Sequence, residues 1–211
     1  MNLTEKEKEN ITLMKVMELF MRLGIRSVNM DDIARHLGIS KKTLYKYAAN
    51  KKDLVKKCVQ LSIDMEKNEI VEITDLKGNA IDQLFAINKM ISHKLANLHP
   101  SVMYDIQKYH PEAWQLMDQH KCQYVQDCIV DNIKEGQEEG LYRDNINADI
   151  VSNIYVSIIN SMMDPEIFPS SKYALKDVHR EIARYHLKGI ASEKGVKYIR
   201  RLFEKTHTDI V

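Results

Sequence analysis

Apolar residues recur along most of this chain with the period of a helix, about 3.6 residues. Near the start, Leu13, Val16, Met17 and Phe20 follow the i, i+3, i+4, i+7 template, and Gly24 stands where a C-terminal cap is expected. Two short segments follow, 30–37 and 40–47, split by Gly38-Ile39. A longer one spans about 51–74, with Leu54, Cys58, Leu61 and Met65 on one stripe, until Asp75-Leu76-Lys77-Gly78-Asn79 breaks it. The segment 80–98 carries Leu84, Ile87, Ile91 and Leu95. His99-Pro100 and His110-Pro111 each place a proline where a first helical turn accepts it. They frame a short helix and then a long one, which shows Cys122, Val125, Ile129 and Ile133 on one face and ends near 136–140. Residues 148–163 are apolar almost all round, as in a helix covered on two sides. After a loop containing Pro165 and Pro169, two amphipathic segments, 175–191 and 193–204, hinge near Ser192. No strand series, internal repeat or low-complexity run interrupts the pattern. The expected fold class is all-α.

Composition narrows the picture. With 211 residues, 44% of them hydrophobic, the chain buries a core without a disulfide or metal staple. Seven glycines and four prolines are too few for a turn-rich fold, which favours long helices. Cys58, Cys122 and Cys128 are an odd, widely spaced set, so neither a disulfide framework nor a thiolate zinc site is indicated. The charged first ten residues have no apolar run behind them, and no apolar stretch approaches the roughly 18–20 residues of a membrane span. The reading is a soluble, cytoplasmic protein with no membrane association, metal or cofactor. Its formal charge of +1 hides an asymmetry: residues 1–60 hold 13 Lys/Arg against 7 Asp/Glu, and the remainder holds 18 against 23. A basic quarter on an acidic body is the footprint of a small nucleic-acid-binding module, although a solvated charge fluctuation produces the same count.

Residues 30–47 decide between these. Ala34 lies four before Gly38, so a small side chain lets a second helix approach while glycine takes the strained turn. Ile33, Leu37, Ile39, Leu44 and Tyr47 supply the inner faces, and Asn29 and Ser40 are capping residue types at the two helix starts. Lys41, Lys42, Thr43, Tyr45 and Lys46 then crowd cationic and hydrogen-bonding groups into two turns. This is a helix-turn-helix whose second helix suits the major groove of double-stranded DNA. Two generic bundle helices with a solvated lysine face are the plainer alternative.

From about residue 11 to 54 the chain resembles the N-terminal domain of the tetracycline-repressor (TetR) family of transcriptional regulators. The matching residues are Gly24-Ile25, Asp32-Ile33-Ala34, Gly38-Ile39-Ser40-Lys41-Lys42-Thr43-Leu44-Tyr45, Lys51 and Leu54. The resemblance implies a three-helix DNA-binding domain over 1–52, with its motif at about 29–48. A long helix would join it to a ligand-binding and dimerisation domain over 53–211. It assigns operator contacts to Asn29, Ser40, Lys41, Thr43, Tyr45, Lys46, Tyr47 and Lys51, and Lys42 joins them through its own charge near the DNA backbone. Lys42, Asn29 and Ala48 depart from the family's frequent Gly, Thr and Phe. The family usually forms homodimers through its last two large helices, which here puts Val151, Ile154, Tyr155, Ile158, Met162, Val178, Ile182 and Tyr185 at the interface. An intrachain core helix explains 148–163 as well.

For an effector, Met90, Met103, Tyr104, Gln107, His110, Trp114, Met117 and Tyr124 offer flexible thioethers, flat rings and a few polar groups. That set suits an apolar or aromatic small molecule, and ordinary core packing accounts for the same residues. A catalytic reading finds no nucleophile elbow, no zinc-protease motif, no phosphate loop and no dinucleotide fingerprint. His179 and His186, two turns apart, read as a surface pair rather than a metal site. The expected function is a ligand-responsive repressor binding a palindromic operator as a homodimer. A helical interaction module without DNA readout and an all-α enzyme are the alternatives.

Overall fold

A computed structural model of the protein describes residues 3–99 and 101–206. The helices run in the order α1 (Glu5–Leu23), α2 (Met30–Leu37), α3 (Lys41–Tyr47), α4 (Lys51–Asp75), α5 (Ala80–Ala96) and α6 (Ser101–Tyr109). There follow α7 (Pro111–His120), a π-turn (Lys121–Val125), α8 (Gln126–Glu138), α9 (Ala148–Ser161), α10 (Leu175–Ile190) and α11 (Glu193–Thr206). Among the described residues there is no strand, only an isolated bridge between Tyr142 and Ala191. None of these helices is long and apolar enough to cross a membrane. Each helix expected from periodicity is present, with ends shifted by a residue or two. Pro100, expected to open α6, lies outside the described residues. The long helix expected from Pro111 departs from regularity: one π-turn separates α7 from α8. Hydrophobic periodicity averages over such a turn and does not reveal it.

The described residues form two compact units, one from 1–68 and 97–120, the other from 69–96 and 121–211. They do not divide at 52/53. The first part of α4 shares a core with α1 to α3, where Leu54, Val55, Cys58 and Ile63 pack with Leu13, Val16, Phe20, Ile33 and Leu44. Val102 and Ile106 of α6 and Ala113 of α7 enter the same core. Polar contacts fasten α6 to the loop after α1. The His99 backbone N–H donates to the Met21 carbonyl at 3.0 Å, and that of Arg26 donates to Asp105 Oδ2 at 3.2 Å. Cys58 lies so deep in this core that burial pushes its thiol up to about 12.

In the second unit α5 packs on α8 and α10, and α8 packs on α9. Ile81, Leu84, Ile133, Tyr155, Val178, Ile182 and Leu187 make the core. The helix α11 closes one end by close approach: a Cβ on Gly195 would lie 2.0 Å from the Leu141 carbonyl oxygen, a backbone atom with no room to yield. Within the chain α9 is covered on one side only, since Ile150 and Ile154 are 59% and 53% exposed.

His179 and His186 are not a surface pair. They share the inward stripe of α10 with Val178, Ile182 and Ala183, because positions seven apart fall on one helical face. His179 Nδ1 lies 3.5 Å from Ser92 Oγ, and the His186 ring stacks on Tyr155 with centroids 4.3 Å apart. Burial lowers both rings to about 4. The fold therefore favours the neutral ring, whereas the unfolded chain takes up a proton near pH 6.5. Stability from these rings is complete above pH 6.5 and declines as pH falls toward 4, by about 1.4 kcal/mol per pH unit and per ring at the steepest. Urea titrations at pH 8, 6 and 5 should show this decline, and His186→Phe, which keeps a ring against Tyr155, should remove about one ring's share of the slope. An unaltered slope in that variant counts against the assignment.

Candidate nucleic-acid interface

Eight and seven residues are too few for helices to persist alone, so α2 and α3 depend on their caps and on one buried face each. Asn29 caps α2: its Oδ1 accepts from the backbone N–H of Asp31 at 2.8 Å and of Asp32 at 2.9 Å. The Asp32 carboxylate accepts from the Asn29 backbone in return, at 3.0 Å. Met30, Ile33 and Ala34 are buried beneath. Gly38 ends the helix in the left-handed region, with φ 67° and ψ 27°, where a side chain is strained. The Ile39 N–H reaches back to the Ala34 carbonyl at 3.0 Å, close to the small residue expected to admit the turn. Ser40 Oγ then accepts from the Thr43 N–H at 3.0 Å and opens α3.

One side of α3 is locked and the other is open. Leu44 is fully buried, and Ala48 plugs the core just after the helix. Lys41, Lys42, Tyr45 and Lys46 are exposed, while Thr43 and Tyr47 are half-buried. Lys41 is paired with Asp31 at 2.6 Å. The result is a short rigid helix that presents three ammonium groups and a phenol outward. Among the nine residues expected at a DNA surface, Lys51 stands apart. It is half-buried, and its Nζ donates to the Val28 carbonyl ahead of α2. Burial lowers its pKa, against the opposing pull of Asp105 and Asp32.

Two residues that periodicity did not single out, Lys57 and Asp105, also hold this motif. Lys57 Nζ donates to the Tyr47 carbonyl and to Glu9 Oε1, the latter at 3.0 Å. Asp105, buried on α6, receives the Arg26 N–H. Nothing near either residue in sequence marks these contacts, since their partners lie 10, 48 and 79 positions away.

The eight residues proposed for an effector are divided between the two units, six in the first and two in the second. Tyr104 and Gln107 are exposed, because α6 turns Val102, Asp105 and Ile106 inward. Tyr104 accepts from Lys108 Nζ at 2.6 Å and meets Tyr109 edge-on, while the Arg26 guanidinium lies 4.6 Å over the Tyr109 ring. Trp114 and Met117 pack against the core of the first unit, beside buried His110 and half-buried Met103. Met90 and Tyr124 belong to the second unit. Two open grooves there, of about 580 and 790 Å³, lie along α11 and include none of the eight.

The interface set is also divided. Tyr155, Met162, Val178 and Ile182 are buried in their own subunit, and Val151 and Ile158 are half-buried against the same core. Ile154 and Tyr185 point outward, Tyr185 being 76% exposed. The inward residues recur every three or four positions on each helix, which assigns them to the bundle core. Among the described residues no three His, Cys, Asp or Glu side chains gather as a metal site would require.

Comparison with known proteins agrees with this geometry. Residues 16–58, which contain the whole motif together with Lys51 and Lys57, match the family described as bacterial regulatory proteins, tetR family. The HTH-type transcriptional regulator YvaF of Bacillus subtilis is 26% identical over 172 residues, covering 80% of this chain and 88% of that protein. The HTH-type transcriptional repressor KstR2 of Mycobacterium tuberculosis is 26% identical over 140 residues, 63% of this chain and 68% of its own. The fold is shared with a transcriptional regulator from Saccharomonospora viridis in complex with choline, with a TM-score of 0.64 at 16% identity over 90% of this chain and all of that one. A capped helix-turn-helix with a cationic second helix thus coincides with the segment that matches the tetR family of bacterial regulatory proteins.

Proposed function

We propose that this protein is a ligand-responsive repressor that acts in the cytoplasm, binds a palindromic operator as a homodimer, and releases it when a small apolar or aromatic molecule occupies its body. One observation carries the reading. The helix α3 exposes Lys41, Lys42, Tyr45 and Lys46 on one side while Leu44 and Ala48 fix the other, so the cationic face is held rigidly. A helix of this kind fits the major groove, with lysines on phosphates and Thr43, Tyr45 and Tyr47 toward base edges. Asn29 and Ser40 are exposed at the starts of α2 and α3, where their amide and hydroxyl groups can donate to phosphate oxygens.

The apolar surface that α9 and α10 leave outside the bundle core supports the two-fold dimer. Ile150, Ile154 and Tyr185 are exposed large residues on these two helices, suited to a second copy of the chain. Dimers of such motifs bind half-sites about one helical turn apart, roughly 34–36 Å. Effector binding is argued from Met103, His110, Trp114 and Met117, which share the first unit with the DNA-reading motif. An effector shifts operator binding only by its differential affinity for the free and bound forms.

Three measurements test this reading on a duplex recovered by selection from a random pool. Lys46→Ala should weaken selected and random duplexes alike and lower the slope of log affinity against log salt by about one counterion. An intact slope removes Lys46 from the phosphate contacts. Because Ile154 is exposed, Ile154→Glu should leave the subunit folded yet yield monomers in sedimentation that bind the duplex poorly; a variant that stays dimeric moves the interface elsewhere. A small aromatic ligand that quenches Trp114 should weaken duplex binding by about 5–150-fold, and the duplex should lower ligand affinity by the same factor. Equal ligand affinity with and without DNA rejects the switch and leaves DNA binding untouched.

A further inference from the structure

The recognition helix α3 ends in a way its own sequence does not secure. No glycine follows it, and its C-terminal cap, Ala48, is extended, with φ −149° and ψ 133°. The Ala48 N–H satisfies the Leu44 carbonyl at 3.1 Å, whereas the Tyr47 carbonyl looks outside the helix for a donor. That donor comes from α4: Lys57 Nζ donates to the Tyr47 carbonyl and, in the same position, to Glu9 Oε1 of α1 at 3.0 Å. A cation at a helix C-terminus meets the partial negative charge of the last carbonyls. Neighbours restrict its freedom further, since Leu54, Val55, Cys58 and Val59 anchor this stretch of α4 in the core. The ammonium is thus a joint between three helices, α1, α3 and α4, at the outgoing end of the reading helix. Lys51 does the corresponding task at the incoming end of the motif through the Val28 carbonyl.

We propose that Lys57 is a positioning residue for DNA reading: acting from α4 without touching DNA, it fixes the angle at which α3 enters the groove, with Glu9 as its second anchor. This rests on the reading of α3 as the DNA-contacting helix. A groove-bound helix discriminates bases only when its side chains reach their edges within hydrogen-bond distance, so loosening one end erodes discrimination before it removes charge. Lys57 differs in this from Lys46. A lysine that neutralises a phosphate contributes one counterion to the salt dependence, and a lysine that holds a carbonyl inside the protein contributes none.

The experiment uses the full chain, the selected duplex and a random duplex of equal length, titrated at several salt concentrations alongside thermal unfolding. Lys57→Met keeps the aliphatic stem and removes the ammonium. It should lower affinity for the selected duplex about tenfold, bring the selected-to-random ratio down by a similar factor, and leave the salt slope at the wild-type value. Lys57→Arg should recover most of the discrimination. A slope reduced by about one in Lys57→Met shows a phosphate contact and overturns the proposal; an unchanged selected-to-random ratio overturns it as well. Should Lys57→Met fail to fold, Glu9→Gln decides, since it leaves the lysine in place: reduced discrimination at unchanged slope supports the joint, and unchanged discrimination overturns it. Wild-type protein that binds neither duplex in a salt-dependent way defeats the DNA reading itself, an outcome distinct from any variant result.

Discussion

The structure turns on a difficulty of scale: a seven-residue helix has no stability of its own, yet it must hold its exposed side chains in a fixed frame. The solution is to fasten it at every place where a helix is weak. Ser40 satisfies its first turn, Leu44 anchors its middle in the core, and Lys57 takes its last carbonyl. The last two draw on longer elements: Leu44 shares its core with the 19-residue α1 and the 25-residue α4, and Lys57 belongs to α4. The small reading helix thus owes its order to the elements around it. The charge it carries can be exposed because none of it is needed to keep the helix folded.

Much of this was legible in the sequence because the relevant signals are local. Asn29, Gly38 and Ser40 act on residues within four positions, and the helix stripes repeat every few residues, so reading along the chain recovers them. Other features were invisible for equally physical reasons. Lys57 and Lys51 are indistinguishable by type from the lysines on the open face of α3; only the fold shows that their ammonium groups answer carbonyls. Asp105 looks like a surface carboxylate on a short amphipathic helix and is 3% exposed. Tyr104 and Gln107 lie among residues suited to a pocket, but the register of α6 turns them to solvent. His179 and His186 are polar by type and give no sign of burial in the sequence, yet neutral imidazole packs well against Tyr155 and beside Ser92.

Charge is distributed with the same economy. The excess of cations in the first sixty residues is divided between two tasks, with some lysines facing outward on α3 and others turned to carbonyls and carboxylates within the unit. A net-charge count detects the excess and is blind to the division. In the second unit ionisable groups do different work. Tyr198 donates to Asp82 at 2.8 Å, and Gln83 donates to Glu135 at 3.1 Å, tying α5 to α11 and α8.

The ion pair between Lys41 and Asp31 bears on how a DNA-reading α3 would meet sequences other than its operator. At 2.6 Å the carboxylate already occupies the lysine that opens α3, so any phosphate approaching that position must displace an internal rival. Competition of this kind lowers attraction to every stretch of duplex equally and leaves base discrimination as it was. In a genome, where incorrect sites outnumber the operator by many orders of magnitude, weaker attraction shortens each unproductive stop. On the reading of α3 as the groove-entering helix, Asp31 would moderate non-specific attraction from the first turn of the helix that precedes it.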